Sequence, residues 1–228
     1  MSKTIEWARR IAALAQAGLT YTKDPYEKER CEELQALAAE MMAAATEQAE
    51  PASNHLSTHR KTLCPSRLAT SNHWKKIFQN ESGYATPKVD VRGAIFQDGK
   101  VLLSREQDDD CWSLPGGWAD VNDTPSEAVI REVREETGYP VRCTKLAAVL
   151  DRDLHYKEPG HAHPFHIYKL LFLCELTGDA GELCHDITDA AFFDLDDLPP
   201  LSKHRTLPKH IELLHKHHQN PGLPTDFD

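Results

Sequence analysis

Features that would place the chain in a membrane or an oxidising compartment are missing from its 228 residues. No apolar run approaches the roughly 18 residues that a transmembrane helix needs, and no secretory h-region opens the chain. The cysteines are scattered, without a C-x-x-C pair, as Cys31, Cys64, Cys111, Cys143, Cys174 and Cys184. This usage favours free thiols over a disulfide framework. We therefore expect a reduced, cytoplasmic protein without membrane association.

A basic surface is lacking as well. Acidic residues outnumber basic ones by 36 to 26, which gives a formal net charge of −10. Long nucleic acids are bound through positive patches that neutralise phosphates, so we do not expect a nucleic-acid partner. A small phosphate compound held through a cation stays compatible with this charge. The hydrophobic share of 40% is ordinary for a globular protein.

The chain does contain one strongly marked helix, within the stretch PGGWADVNDTPSEAVIREVREETGYPV at residues 115–141. Thr124 is the expected N-cap, Pro125 suits the first helical position and Glu127 completes a capping box. Gly138 is the expected left-handed C-cap. The sequence therefore predicts both ends of a short helix.

Three glutamates of this helix, Glu132, Glu135 and Glu136, are spaced so that their carboxylates share one face. Like charges at this spacing destabilise an isolated helix by roughly 0.2–0.5 kcal/mol per pair. A hard divalent cation such as Mg²⁺, which takes oxygen ligands, would reverse that sign. The alternative is a solvated acidic face. The glycine turn before the helix and the two caps favour the metal site.

The stretch resembles the Nudix box, G-x5-E-x7-R-E-U-x-E-E-x-G-U, where U is a bulky apolar residue. The matching residues are Gly117, Arg131, Glu132, Val133, Glu135, Glu136 and Gly138. Asp123 stands in place of the first glutamate of the box, and Tyr139 fills its last apolar position. Because Asp123 is one methylene shorter than glutamate, we expect its salt bridge to Arg131 to be longer or water-mediated.

The resemblance implies a hydrolase that uses Mg²⁺, with Mn²⁺ as a substitute. The three box glutamates would be the metal ligands, and Glu132 or Glu135 would also orient or deprotonate the attacking water. Arg131 would hold the carboxylates in place. A main-chain oxygen of Gly116 or Gly117 would complete the ligands, because only glycine lets the backbone approach a cation without strain.

Two amphipathic helices are predicted before the box. Gly18 is expected to end the first, at residues 3–17, whose apolar stripe is Trp7, Ile11, Leu14 and Ala15. The second begins at Asp24–Pro25, and its apolar face is Leu34, Leu37, Ala38, Met41 and Met42. Two short helices bury such stripes poorly alone. We expect residues 1–49 to contribute to a homodimer or to cover the catalytic domain.

Residues 5–42 resemble the small helical N-terminal domain of bacterial hydrolases of X-linked nucleoside diphosphates, a group that includes CDP-choline and ADP-ribose pyrophosphatases. The predicted domains are a helical domain at 1–49, a polar linker at 50–82 and a Nudix domain at 83–228. Serine, threonine and isolated apolar residues within the linker indicate no packed element. In the resembling family, part of this region is usually helical.

The region after Lys88 changes to strand periodicity. A hairpin turn is predicted at Asp98–Gly99, and further strands are predicted at 141–151, 164–176 and 190–193, before a closing helix at 207–218. Strands with two flanking helices predict an α/β fold. The resemblance implies the Nudix α/β/α sandwich around a mixed sheet, with the helical hairpin as a small N-terminal domain.

Substrate contacts are less clearly indicated. Trp112 and Trp118 flank the glycine turn and offer a stacking face for a base, although packing is the commoner role of such an indole. A loop with His161, His163, His166 and Glu158 resembles a substrate-facing loop of the family, while a solvated loop is the alternative. Asp189 and Glu158 compete for the role of an additional acidic residue near the metals. No cysteine stands at ligand spacing from His161-Ala162-His163, which disfavours zinc.

The predicted function is hydrolysis of a nucleoside diphosphate linked to another group, of the CDP-choline or ADP-ribose type. The products would be a nucleoside monophosphate and a phosphorylated second group. One alternative is a ligand-sensing or RNA-binding protein that uses the same fold without turnover, although such a protein would be expected to have lost box glutamates. Another is an enzyme that also trims RNA ends.

Overall fold

The computed structural model describes residues 3–47, 70–107, 109–156, 163–181 and 187–228. The chain divides into two compact units. One consists of Met1–Pro87 with Asp153–His166, and the other of Lys88–Arg152 with Ile167–Asp228. None of the helices within the described ranges is long and apolar enough to cross a membrane.

The first unit contains three longer helices: α1 at Lys3–Tyr21, α2 at Pro25–Glu47 and α3 at Ser71–Gln79. Small side chains line the contact between α1 and α2. The buried residues of α1 are Ile5, Ala8, Ala12 and Ala15, and those of the shared cluster include Ala38, Ala39, Met42, Trp74 and Phe78. The unit therefore has an apolar core of its own.

Two predictions for this unit are wrong. Gly18 does not end α1, which continues to Tyr21. A Cβ at Gly18 would lie 2.5 Å from the Cys31 sulfur, so the absence of a side chain at Gly18 lets α1 and α2 pack closely there. Helix α3 lies inside the stretch predicted as a polar linker, and it buries Trp74 and Phe78. Residues 48–69 of that stretch lie outside the described residues.

The apolar stripe predicted on α1 is also divided differently. Ala15 is buried, but Trp7 and Leu14 are 53% and 69% exposed. Tyr21 continues this exposed row at 71%. On α2, Ala38 and Met42 are buried, whereas Leu34 and Leu37 are exposed. Each helix therefore has a buried alanine-rich face and a separate exposed apolar one.

The second unit contains two sheets. Its strands are β1 at Lys88–Ala94, β2 at Phe96–Gln97, β3 at Lys100–Glu106, β4 at Trp112–Ser113, β5 at Val141–Asp151, β6 at Ile167–Leu176, β7 at Ile187–Asp194 and β8 at Asp226–Phe227. The first sheet has the order β1-β6-β5-β8, with parallel β1–β6 and β5–β8 pairs and an antiparallel β5–β6 pair. The second sheet is antiparallel, with β3 paired to β2, β4 and β7. The Asp98–Gly99 turn is confirmed, with φ of 51° and 79°.

Two helices complete this unit: α4 at Pro125–Thr137 and α6 at Pro208–Gln219. The short α5 at Arg152–His155 belongs to the first unit from Asp153 onward. Alternation along β6 separates the two apolar clusters of the second unit. Phe172 and Cys174 pack in the α4 cluster, whereas Leu171 and Leu173 pack with Ile211 of α6. A mixed sheet thus lies between helical layers, and the predicted α/β/α sandwich is confirmed.

Candidate active site

Helix α4 has both predicted caps. The Thr124 side chain accepts from the Glu127 backbone N–H, and the Glu127 carboxylate accepts from the Thr124 N–H at 3.0 Å. Pro125 occupies the first turn, and Gly138 has the left-handed φ of 71°. The buried face of α4, with Ala128, Val129 and Val133, packs on the first sheet. The three box glutamates therefore lie on the other side of the helix.

The three box glutamates differ in their surroundings. Glu132 is mostly buried, and burial raises its pKa despite the favourable charge of Arg131. Glu135 is half exposed. The Oε2 atom of Glu136 accepts from Ser104 Oγ at 2.8 Å and from the Gly116 N–H at 3.1 Å. Glu136 is therefore tied to β3 and to the glycine turn.

Arg131 holds four carboxylates at once. Its Nε donates to Asp123 Oδ2 at 3.1 Å, and its Nη1 donates to Glu132 at 2.8 Å and to Glu135 at 3.2 Å. Its Nη2 lies 3.0 Å from Asp120 Oδ2 as an ion pair. Partial burial opposes the charged form, but these partners outweigh it and hold the pKa of Arg131 above its usual range. The expectation of a longer or water-mediated Asp123 contact is wrong.

The glycine turn Pro115–Trp118 lies along β1. Gly116 has φ of 142°, and a Cβ there would lie 2.9 Å from Arg92 Cα and still closer to the Val91 carbonyl oxygen. A Cβ on Gly117 would lie 2.9 Å from Glu132 Oε2. Glycine at both positions thus lets the backbone approach the glutamates. The Gly117 carbonyl accepts from Val91 N at 2.8 Å, which occupies one of its lone pairs.

The donor set fits a hard divalent cation. Carboxylate oxygens of Glu132, Glu135 and Glu136 are presented by one helix face, and a glycine backbone approaches it without side chains between. Mg²⁺ and Mn²⁺ favour oxygen ligands of this kind. Which of these oxygens bind an ion stays a prediction, and so do the roles of Gly116 and Gly117.

A buried charged cluster that sequence reasoning missed lies beside this turn. Lys169 Nζ is 2.7 Å from Asp90 Oδ1, and Arg92 donates to both Asp90 oxygens at 3.1 and 2.9 Å. Burial alone would raise the pKa of Asp90, but the two cations lower it overall. Burial also lowers the pKa of Lys169 to about 8, against the pull of Asp90. Asp90 and Lys169 are 79 residues apart, so no local motif indicates their pairing.

The two tryptophans have different positions. Trp112 is buried and packs edge-to-face on Phe193, with ring centroids 4.5 Å apart. The packing interpretation therefore applies to Trp112, and its assignment as a stacking surface is wrong. Trp118 is 47% exposed, while its backbone pairs with Asp90. Trp118 stays a candidate for stacking on a base.

The remaining predicted substrate contacts belong to the histidine-rich loop, of which the structure describes only a part. The His163 ring nitrogen Nδ1 accepts from Phe165 N at 3.2 Å, and its carbonyl accepts from Arg9 at 2.7 Å. Both His163 and His166 belong to the first unit. Glu158 and His161 lie outside the described residues. Contacts between any of these groups and a substrate stay predictions.

Asp189 is placed by the pairing of β7 with β3. It lies opposite Arg105, next to the pair formed by Ser104 and Ala190. Side chains alternate between the two faces of a sheet, so Asp189 lies on the face opposite to Ser104, which bonds Glu136. This placement disfavours Asp189 as an additional ligand beside Glu136. Ser104, which is fully buried, is a partner of the site that the sequence pattern did not indicate.

Comparison with known proteins agrees with this geometry. Residues 86–216 match the NUDIX domain family, and residues 2–54 match a family described as a UDP-X-like, N-terminal oligomerisation domain. The Bacillus subtilis protein YjhB, provisionally described as an ADP-ribose pyrophosphatase, is 40% identical over 227 residues, which covers 100% of this chain and 98% of YjhB.

Two solved structures are also similar. A crystal structure of UDP-X diphosphatase matches with a TM-score of 0.58 and 31% identity, over 99% of this chain and 98% of that one. An ADP-ribose pyrophosphatase from Streptococcus suis matches with a TM-score of 0.56 and 37% identity, over 63% of this chain and all of that one. Since the NUDIX match covers more than half of the chain and one relative aligns from end to end, the chain belongs to the Nudix family and is a pyrophosphohydrolase.

Proposed function

We propose that the protein hydrolyses the pyrophosphate bond of a nucleoside diphosphate linked to a second group, of the CDP-choline or ADP-ribose type. The products are a nucleoside monophosphate and a phosphorylated second group, and the reaction requires Mg²⁺ or Mn²⁺. The observation that carries the proposal is the arrangement of Glu132, Glu135 and Glu136 around the glycine turn. The relatives described as ADP-ribose pyrophosphatases and a UDP-X diphosphatase support the substrate class.

The chain's own residues have distinct roles in this proposal. The carboxylates of Glu132, Glu135 and Glu136 would hold the cation, which would neutralise charge on the bridging and leaving oxygens and activate the attacking water. Glu132 and Glu135 orient this water and one of the two takes up its proton, while Glu136 keeps the glycine turn against α4 through the Gly116 N–H. Arg131 keeps Glu132 and Glu135 at fixed separation by bonding both through one nitrogen. Trp118 offers an exposed ring for the base.

We further propose that the protein is a homodimer joined through its helical domain. The exposed residues Trp7, Leu14 and Tyr21 recur every seven positions on α1, so they form a single row. Contiguous exposed apolar residues of this kind are typical of association surfaces. The match of residues 2–54 to a family described as an oligomerisation domain supports the same proposal.

A substrate panel tests the proposed reaction. CDP-choline, ADP-ribose, nucleotide sugars and capped RNA are incubated with the enzyme and Mg²⁺, and the phosphate released by added phosphatase is measured. Linked diphosphates have no terminal phosphate, so phosphatase acts only after cleavage. Nucleoside triphosphates are scored by chromatography instead, because phosphatase attacks them directly. We expect at least one linked diphosphate to exceed every triphosphate in kcat/KM.

The panel also separates the alternatives. A triphosphate turned over about tenfold faster than every linked diphosphate, a difference of about 1.4 kcal/mol in the barrier, would contradict the substrate class. Binding of ligands or RNA with no turnover in either metal would favour a sensing protein. The Glu135→Gln variant is the control for contaminating activity, since it keeps shape and removes one charge.

A further inference from the structure

The roles proposed above for individual residues do not include the buried cluster of Asp90, Arg92 and Lys169. All three residues are more than nine-tenths buried. Taking charges out of water costs several kcal/mol per ion, and buried ion pairs are often less stable than apolar residues of the same volume. Burial of two cations with one carboxylate therefore contributes less to stability than apolar side chains of similar volume would. This cost indicates a role for the cluster other than stability.

Arg92 connects this cluster to the glycine turn. Two of its nitrogens bind Asp90, and the third, Nη1, donates to the Leu114 carbonyl at 3.1 Å. Leu114 is the last residue before Pro115-Gly116-Gly117. All three guanidinium nitrogens are thus engaged, and the planar fork leaves Arg92 little rotational freedom.

The turn needs an external support of this kind. Pro115 has no N–H to donate, and Gly116 and Gly117 have the greatest backbone freedom of any residue. The turn is bonded to β1 through Val91 N to Gly117 O at 2.8 Å and Gly93 N to Pro115 O at 2.9 Å. Arg92 lies between these two β1 residues and adds a side-chain bond to the same segment.

Lys169 binds the same carboxylate from the neighbouring strand. It lies directly opposite Asp90 on β6, and its Nζ donates to Asp90 Oδ1. Arg92, by contrast, also interacts electrostatically with Glu132 on α4. Removal of either cation leaves Asp90 with the other one, so the two residues form a matched pair, of which Arg92 donates to the Leu114 carbonyl.

We propose that Arg92 is a positioning residue of the active site, which holds the Leu114–Gly117 backbone at the distance from the box glutamates that a divalent cation requires. Asp90 holds Arg92 in turn through both of its carboxylate oxygens. This inference rests on the proposed function, because it assigns Arg92 to the metal site of that reaction.

The experiment compares Arg92→Met with Lys169→Met in the full chain. Mn²⁺ affinity is measured without substrate by electron paramagnetic resonance, and amide hydrogen exchange is measured at Gly93 and Gly116. We expect Arg92→Met to weaken Mn²⁺ binding by about 10–100-fold, the usual scale for supporting residues, and to speed exchange at both amides. Lys169→Met should lower the melting temperature but keep the Mn²⁺ affinity near that of the native chain.

Kinetics add a second readout. Arg92→Met should lower kcat at saturating substrate and leave KM for the nucleotide nearly unchanged, whereas excess Mn²⁺ should restore part of kcat. Arg92→Lys, which keeps the charge and one donor, should recover part of the Mn²⁺ affinity. If Arg92→Met does not fold, Arg92→Lys is compared with Lys169→Met instead, with the same measurements of Mn²⁺ affinity and amide exchange.

Two results would overturn the inference. The first is native Mn²⁺ affinity and native exchange at Gly93 and Gly116 in a folded Arg92 variant. The second is equal loss of affinity in the Arg92 and Lys169 variants, which would make the cluster a purely structural one. Failure of the proposed function is distinguishable, because it appears as an inactive native chain in the substrate panel while Mn²⁺ affinity and amide exchange still report on Arg92.

Discussion

The guanidinium of Arg131 reaches Asp123 directly, with Nε 3.1 Å from Oδ2. The sequence predicts a longer or water-mediated contact here, because aspartate is one methylene shorter than glutamate. The structure shows instead that Asp120 joins Asp123, at 3.0 Å from the same guanidinium. Arg131 is therefore bound by two aspartates of the loop before α4, where the Nudix box has one longer glutamate.

We predict that Asp123→Ala lowers kcat/KM moderately, by about 10–100-fold, because it loosens the support of Glu132 and Glu135. Asp123→Glu should be tolerated. The double variant with Asp120→Ala should lose more than the single variant, because the two carboxylates share one partner. Steady-state kinetics measure the effect, and Asp196→Ala, at an exposed position outside the box, is the control. A silent Asp123→Ala would show that Asp120 alone supports Arg131.

We predict that Glu135→Gln and Glu136→Gln each lower kcat by several orders of magnitude while the fold stays intact, because each removes a proposed metal ligand. Glu135 is half exposed, so its loss should change stability by no more than about 0.5 kcal/mol. Glu175→Gln, in an exposed ion pair with Arg142, is the matched control. Near-normal turnover in both box variants would contradict the mechanism.

The glycine turn lies close to the β1 backbone, so we predict different effects of an added side chain at two glycines with positive φ. Gly116→Ala should abolish Mn²⁺ binding and lower the melting temperature, since its Cβ would overlap the β1 backbone. Gly99→Ala, with φ of 79° and nothing within 4 Å of the added Cβ, should cost only about 1–2 kcal/mol of backbone strain and leave activity unchanged. Circular dichroism and Mn²⁺ titration measure both. Equal behaviour of the two variants would argue against a role for the turn.

The exposed row on α1 predicts the oligomeric state. Light scattering should show a dimer for the full chain, and a chain that begins at Gly83 should be monomeric or aggregate. The double variant Trp7→Glu with Leu14→Glu should give a folded monomer, because charges would oppose burial of the row. Thr20→Glu, exposed on the same helix away from the row, is the control. A soluble truncated chain with the native oligomeric state would refute the proposal.

The parts of the molecule that sequence predicted well depend on local chemistry. The caps of α4 and the Asp98–Gly99 turn are each specified within a few residues, and both are confirmed. The parts it missed depend on distant partners. Gly18 lies within a helix, where an added Cβ would meet the sulfur of Cys31 on the next helix, and Asp90 pairs with a lysine on another strand. Periodicity on α1 identified apolar residues but could not tell the buried face from the exposed one.

The glycine turn also has a consequence for solubility. Strand β1 is the edge of its sheet, and such edges template pairing with other chains. Here its outward backbone is already bonded to Pro115, Gly117 and Ala119, the last through Ala119 N to Val89 O at 3.0 Å. The segment proposed to hold the cation therefore also covers the edge strand, so a variant that releases the turn should expose a surface prone to aggregation along with losing activity.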